Sequence, residues 1–467
     1  MIPEDVAQKL KRLRKSLPAG VVSASELARK APAVPELPDM SRFVPGEVRT
    51  GGEGTCFVSE EWFPFDVCFG NDPLDSLRHL DSEGLIQSFG LESSGASGRI
   101  LFLDTETTGL AGGSGTYAFL VGIGSIEAEG FRVRQFFMRD YDEEPGQMAA
   151  VAEELGDCAL LVTYNGAAFD LPLLRTRFVF NRARLNLTDI PHLDLLPVAR
   201  RLWKPRHGGA SLSFLENKIL GNEREGDIPG SLIPALYFYF LRGASPRTLV
   251  PVFYHNRMDI VALAALTERA HRLHRDPDSI EDHWERLGVA RFHCARGRYP
   301  QALQVLRPIE EHAPAGREWQ LCVRLLSSLH KREGNLERAS KLWWRAHAEG
   351  EFDPLIRVEL AKYLEHSVRD FGKARELVLE IFAHYEVEPD HGETDEVSEE
   401  EEEVHYDYSE WSLPKREALP VYRIDREGDE EDERADSALL PRWTERFARE
   451  LNHRLRRLER KLGSPGG

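Results

Sequence analysis

Apolar and polar positions change rhythm several times along this chain. Residues Ile100-Leu101-Phe102-Leu103 form an unbroken apolar run that stops at Asp104-Thr105-Glu106-Thr107-Thr108-Gly109, which predicts a strand entering a glycine turn. Further strands are expected at 117–124, 131–138 and 159–163, and helices at 146–156, around 171–181 and around 194–203. That mixture predicts an α/β domain with a central mixed sheet. From about Asp282 the pattern becomes one of helix pairs with small residues at regular offsets. Ala302, Ala339 and Ala374 are each preceded by a turn (297–299, 334–336, 370–372), and Ala290 and Ser327 stand twelve residues before their alanines. An all-α repeat region is predicted there. At the end, Trp443, Phe447, Leu451, Leu455, Leu458 and Leu462 make one helical stripe among arginines. A partner, a self-association seam and nucleic-acid phosphates all suit such a stripe.

The N-terminal 17 residues carry Val6, Leu10, Leu13 and Leu17 between Lys9, Lys11, Arg12, Arg14 and Lys15, the pattern of a basic amphipathic helix. Residues 31–50 are proline-rich and read as a linker. Short β segments at 54–58 and 61–66 read as an extension of the sheet or its rim. The expected organisation is an N-terminal helix and linker (1–50), an α/β domain with its extension (51–275), helical repeats (280–385), an acidic segment (386–436) and a basic C-terminal helix (440–463).

Charge alters the picture only once it is located. The net charge is −18, but 386–436 holds 22 acidic residues against 5 basic ones, so nearly all of the imbalance lies in that segment. Its runs at Glu399–Glu403 and Asp429–Glu433 are too charged to fold by burial, and disorder is expected. The rest of the chain, taken together, is close to neutral, so the overall acidity does not argue against a nucleic-acid substrate. At 41% hydrophobic residues the chain can build real cores, yet no apolar run reaches the ~20 residues that cross a bilayer. The five cysteines (Cys56, Cys68, Cys158, Cys294, Cys322) are scattered without a C-x-x-C, which fits reduced thiols and a cytoplasmic protein.

The candidate chemistry is carboxylate chemistry. Asp104 and Glu106 point to the same face of their strand because side chains alternate. The stretch Leu160 to Asp170 is a second strand followed by Asn165-Gly166-Ala167-Ala168-Phe169-Asp170, and Tyr254-His255-Asn256-Arg257-Met258-Asp259 opens an apolar helix. Mg²⁺ prefers oxygen ligands and keeps several waters, so three or four acids on neighbouring elements suit it. Two such ions roughly 3.5–4 Å apart can activate a water and stabilise a departing alkoxide. For Asp170, a helix N-cap is the plainer reading, with Pro172 in the first turn.

These motifs, together with Asp194-Leu195-Leu196, Ala199-Arg200-Arg201-Leu202-Trp203 and the stretch from Leu220 to Gly230, cover about Ser97 to Arg272. They resemble the DEDD superfamily of 3′–5′ exonucleases on the ribonuclease H-like fold, and within it the YprB-like group, often joined to tetratricopeptide repeats. The repeat region resembles such repeats in turn. The resemblance implies two divalent ions, Mg²⁺ or Mn²⁺, with Asp104 bridging both. Glu106 and Asp259 would complete the first site and orient the attacking water, and Asp170 would hold the second ion. It also implies a nucleic-acid substrate, taken from a single-stranded 3′ end, and a protein partner for the repeats.

One branch of that superfamily places His five residues before the last Asp, and another places Tyr four before it. This chain has Tyr254 at minus five and His255 at minus four. Within a helix, His255 would lie roughly 40° from Asp259 and Tyr254 about 140° away, which favours His255 as general base. Thr107, Asn165 and Asp194 are candidate substrate contacts, with turn ordering (Asn165) and N-capping (Asp194) as the structural alternatives. Arg200, Arg201, Lys204, Arg206 and His207 suit either phosphate contact or a solvated helix end. Arg175 and Arg177 are similar candidates. Gly112 to Gly115 reads as a tight turn without the pattern of a phosphate loop. The competing functions are a catalytically inactive binding scaffold on the same fold and a nuclease acting internally or on structured ends.

Overall fold

The computed structural model describes residues 37–92, 98–109, 115–183, 185–311, 316–349, 351–390 and 445–463. The N-terminal helix, most of the acidic segment, Trp443 and the glycines at 112 and 113 lie outside these residues. Strands β1 (Glu47–Gly51), β2 (Gly54–Pro64), β5 (Arg99–Thr107), β6 (Ala118–Ile126), β7 (Gly130–Phe137), β8 (Cys158–Thr163) and β9 (His192–Asp194) form one sheet, ordered β1-β2-β7-β6-β5-β8-β9. A two-residue hairpin, β3 (Cys68–Phe69) with β4 (Asp72–Pro73), stands apart. Strand β5 runs antiparallel to β6 and parallel to β8, and β9 continues parallel to β8, so the sheet is mixed.

Two departures from the expected elements have simple causes. The strand β1 starts inside the proline-rich stretch, at Glu47, and pairs with β2 through a tight turn at Gly51 and Gly54. The two short β segments after it are one strand, β2, hydrogen-bonded along β7, so the extension does enlarge the sheet. Strand β9 has only three residues, too few to show a period.

Alternation on β5 divides the core. Ile100 and Phe102 face one way and pack with Ile260 and Val261; Leu101 and Leu103 face the other and pack with Met148, Val151, Leu171 and Leu174. The helices around the sheet are α1 (Ser82–Phe89), α2 (Glu144–Glu154), α3 (Asp170–Phe180), α4 (Leu195–Leu202), α5 (Ile233–Leu241) and α6 (Val250–Arg275), and those partners belong to α2, α3 and α6. Since residues 104 and 106 continue the even series, their side chains emerge on the α6 side, while Thr105 emerges toward α3.

The C-terminal half is helical: α7 (His283–Ala295), α8 (Tyr299–Glu311), α9 (Arg317–Arg332), α10 (Leu336–Glu349), α11 (Pro354–Tyr363), α12 (Phe371–His384) and α13 (Glu445–Gly463). Successive helices pack in pairs, α7 on α8, α9 on α10 and α11 on α12. Ala290, Ala302, Ala339, Ala374 and Ser327 are all buried, as close helix approach requires. Two residues of the basic cluster at the end of α4 lie at the join between the halves: Arg206 pairs with Asp282, and the Arg201 guanidinium lies over the Phe292 ring. Among the described residues no helix is long and apolar enough to cross a membrane. All five cysteines are free.

The apolar stripe of the last helix is covered by the chain itself. Phe447, Leu451, Leu455 and Leu458 are buried, and α13 lies on α12. The helix is pinned by Glu365, in the wide turn Leu364–Val368 after α11. Its carboxylate accepts from Arg454 Nη1 (2.7 Å), Arg457 Nε (2.6 Å) and Lys461 Nζ (3.0 Å). Burial alone would raise this carboxyl, but the hydrogen bonds and charges of those cations bring it down to about 2. A depressed folded pKa stabilises above the unfolded value of 4.5 and is lost as pH falls toward 2. Replacing Glu365 by Gln is therefore expected to cost about 1–3 kcal/mol at pH 7, read as a lower thermal midpoint. The deficit relative to the native chain should shrink between pH 4.5 and 2.

Candidate active site

Asp104 leaves β5 opposite Gly122 of β6, and α6 crosses directly above. A side chain at Gly122 would meet Asn256 Oδ1 and Ile260 Cδ1, both at 2.3 Å, so only glycine lets the helix lie this close. From that position Asn256 donates through Nδ2 to Asp104 Oδ2 at 2.8 Å. Its own Oδ1 accepts from Gln135 Nε2 at 2.8 Å, and the same Gln135 nitrogen reaches the Phe253 carbonyl at 2.8 Å. Asn256 and Gln135 are 0% and 1% exposed, so this chain of amides fixes Asp104 from within the core.

Two residues on, the pairing with β6 shifts register between Glu106 and Thr107, with Phe119 as the extra residue on β6. Glu106 shares the Asp104 face, as alternation requires. The Thr107 hydroxyl donates to the Gly109 carbonyl at 3.0 Å, closing the turn. On the opposite face Thr105 donates to Asp170 Oδ1 at 2.5 Å. Asp170 is the first residue of α3 and does not cap it, because Phe169 holds the cap position and makes no side-chain cap bond. The N-cap reading of Asp170 therefore gives way to a carboxylate directed at β5.

The loop between β8 and α3 is held by Asp194. Its carboxylate accepts from the backbone amides of Asn165 (2.8 Å), Ala167 (3.2 Å) and Leu196 (3.1 Å). One acid thus caps α4 and anchors the loop, with Asn165 at φ 65°, a left-handed conformation that asparagine tolerates. Asp194 acts through this loop, and its oxygens are committed to main-chain donors.

The helix carrying Asp259 begins at Val250, so the angular argument applies, and His255 Nε2 lies 3.6 Å from Asp259 Oδ2. Tyr254 packs against the core, with the Arg257 guanidinium 6.0 Å from its ring. Two residues not singled out from the sequence complete the group. Asp227 Oδ1 faces His255 Nδ1 at 2.8 Å. A carboxylate only accepts, so Nδ1 carries a proton, and in the neutral ring the lone pair is then on Nε2. Arg224, 6% exposed, reaches Glu216 Oε2 through Nε (2.8 Å), Asp227 Oδ2 through Nη1 (3.1 Å) and Asp259 Oδ1 through Nη2 (2.5 Å).

The electrostatics follow from this packing. Asp104 and Glu106 are pushed well above the usual carboxylate range, first by burial and then by the neighbouring acids. Asp170 rises to about 6, chiefly by burial and against the Thr105 hydrogen bond. Asp227 goes the other way: burial would raise it, but the hydrogen bond and charge of His255 hold it low. Four acids with hard oxygen donors, two of them driven toward protonation by loss of water and by each other, are what a divalent cation would relieve. The donor set fits such an ion. Among the described residues no three His, Cys, Asp or Glu side chains are assembled to hold one. Each of three acids has a partner of its own: Asn256 holds Asp104, Thr105 holds Asp170 and Arg224 holds Asp259.

A profile of the RNase H superfamily matches residues 101–271, which run from β5 through α6 and include every side chain above. The protein named "Uncharacterized protein YprB" of Bacillus subtilis (strain 168) is 36% identical over 328 residues, covering 68% of this chain and 78% of that one. The chain belongs to the YprB family of the RNase H superfamily. The seven-stranded mixed sheet with its helices fits the α/β domain of that superfamily, followed by a helical region. Membership points to a nuclease-type hydrolase that binds nucleic acid, and RNase H-like nucleases generally use divalent metal ions.

What the sequence reading of this family member missed was visible in part. Gln135 follows Phe131 and Val133 at the alternate, buried positions of β7, and Asn256 sits in an apolar helix; each is a polar residue where burial demands a partner. Arg224 and Asp227 lie in an irregular stretch with no period to mark them. The raised acids carry a stability consequence. A carboxyl whose folded pKa exceeds its unfolded value destabilises at neutral pH, and the cost fades as pH falls toward the unfolded value of 3.8. Asp104→Asn is expected to raise the thermal midpoint in the presence of a chelator at pH 7, with a gap that narrows toward about pH 4–5. A lower midpoint would mean that the Asp104 carboxylate is needed for the fold.

Proposed function

We propose that this chain is a metal-dependent exonuclease that hydrolyses nucleic acid from a single-stranded 3′ end. The observation that carries the reading is the grouping of Asp104, Glu106, Asp170 and Asp259 with a histidine oriented by a carboxylate, inside the segment related to the RNase H superfamily. The four acids would hold two Mg²⁺ or Mn²⁺ ions, which when bound supply water activation and charge compensation at the cleaved phosphodiester.

The chain's own residues supply the rest. Asp227 fixes the His255 tautomer and stabilises the ring when it is charged, so Nε2 takes a proton from the attacking water as general base. Glu106, beside Asp104 on the same face, orients that water. Asn256 and Gln135 keep Asp104 in place while its partners change. Thr107 and Asn165 border the site and contact the strand being cut, and Asp194 contributes by holding the Asn165 loop. The paired helices of 280–385 are read as tetratricopeptide-like, with buried alanines at the helix contacts, and serve a protein partner.

A second reading, an inactive scaffold on the same fold, draws on the ion pair between Arg224 and Asp259, which engages a ligand of the first ion. Both are tested with 5′-labelled single-stranded RNA and DNA in Mg²⁺ or Mn²⁺. The exonuclease shortens the label stepwise, Asp104→Ala abolishes the ladder, and His255→Ala slows it roughly 10²–10⁴-fold. Asp227→Asn slows it by a smaller factor and shifts the acid limb of the pH profile. A few discrete internal fragments would make the enzyme an endonuclease. No cleavage with either metal would favour the scaffold, and an equal loss in Tyr254→Phe would move the base to Tyr254.

A further inference from the structure

The position of Arg224 is hard to reconcile with a purely structural ion pair. Its guanidinium is almost fully enclosed and spends its donors on three acids. Glu216, 1% exposed, takes two of the contacts and is itself secured by Asn222 Nδ2 at 2.6 Å. Asp227 takes a third and Asp259 a fourth. Glu216 stands in the wide turn Glu216–Leu220, which the β3–β4 hairpin braces through Asn71 N to the Leu220 carbonyl at 2.7 Å. The base of the Arg224 cage is therefore tied into the fold by the Asn71 to Leu220 bond, whereas the contact to Asp259 is a single nitrogen.

We propose that Arg224 is a built-in counter-cation that occupies the Asp259 carboxylate until a divalent ion displaces it, so that ion binding at the site is gated by this arginine. The inference rests on the metal-dependent reading above. It also rests on the geometry of the pair: of the four acids, Asp259 is the one that the Arg224 guanidinium contacts directly. Asp259 is turned to a guanidinium, and a second cation beside it is repelled. Release costs Arg224 one contact out of four, since Glu216 and Asp227 retain it. The loss is confined to Nη2, and the hold of Asp227 on His255 persists.

The test is Mn²⁺ binding to the full chain, followed by the loss of the free-ion electron paramagnetic resonance signal and by calorimetry, with no substrate present. Arg224→Gln alone strands the buried Glu216, so Arg224→Gln with Glu216→Gln is measured beside it to keep the core neutral. Thermal melting establishes that each variant is folded. The double variant is expected to bind Mn²⁺ roughly tenfold to a hundredfold more tightly than the native chain, the span of one charge-assisted hydrogen bond. Adding Asp259→Asn should abolish that gain. Equal or weaker binding by a folded double variant would overturn the gate while leaving the nuclease reading intact, and would make Arg224 a positioning residue for Asp259. Absence of Mn²⁺ binding in the native chain and in every variant would overturn both.

Discussion

A carboxylate on a central strand, beneath a packed helix, has to be held by donors that are themselves satisfied. Asp104 meets that constraint through Asn256, and Asn256 through Gln135, three residues from β5, α6 and β7 joined by bonds of 2.8 Å. The chain of amides only closes if α6 lies flat on the sheet, and that approach depends on the missing side chain at Gly122. Because Asp259 and His255 ride on the same helix as Asn256, their distance to Asp104 is set by the same contact. Core packing and site geometry are one interaction here.

The cost of the arrangement is electrostatic. Asp104, Glu106 and Asp170 are all pushed upward, first by burial and then by neighbouring acids, Asp259 foremost for Asp104, Asp104 for Glu106 and Asp194 for Asp170. Structures keep such strain where chemistry needs it. The compensation is local and uneven. Asp170 has a threonine hydroxyl, Asp104 an amide, and Asp259 a full positive charge in direct contact. His255 is placed differently again, since Asp227 faces one ring nitrogen and leaves the other turned to Asp259. The site is thus asymmetric before any ligand arrives.

The outline of the α/β domain was legible because its largely apolar strands of six to nine residues and helices of eleven carry a clear period. The grouped acids were legible from their elements: Asp104 stands at a strand's apolar limit, Asp170 at a helix start, and Asp259 inside an apolar helix. His255 followed from the helical angle alone. Arg224 and Asp227 were not legible, since they meet His255 and Asp259 from 28 to 35 residues away in a stretch with no repeat. Strand β9 was lost to its length. The stripe Phe447–Leu458 was read correctly as apolar, but its cover, α12, lies far earlier in the chain, and no local pattern names a distant partner. Glu365 illustrates the same limit: in sequence it is an ordinary acid, and in the fold it gathers three cations from α13.

The helical half also bears on the site through α4. That helix is capped by Asp194, the acid that fixes the Asn165 loop ahead of Asp170. Its far end, Leu202 and Trp203, is buried to 1% exposure, and Trp203 Nε1 donates to Glu285 Oε1 of α7 at 3.0 Å. Gly288 of α7 allows this approach, since a side chain there would stand 2.8 Å from the Arg201 carbonyl. Leu195 and Leu202 of α4 share one continuous core with Leu287 and Phe292 of α7. A shift of α7 is therefore resisted by the same contacts that hold α4, and α4 carries the anchor of the loop. The first helix of the C-terminal region therefore braces the helix whose cap, Asp194, holds the Asn165 loop.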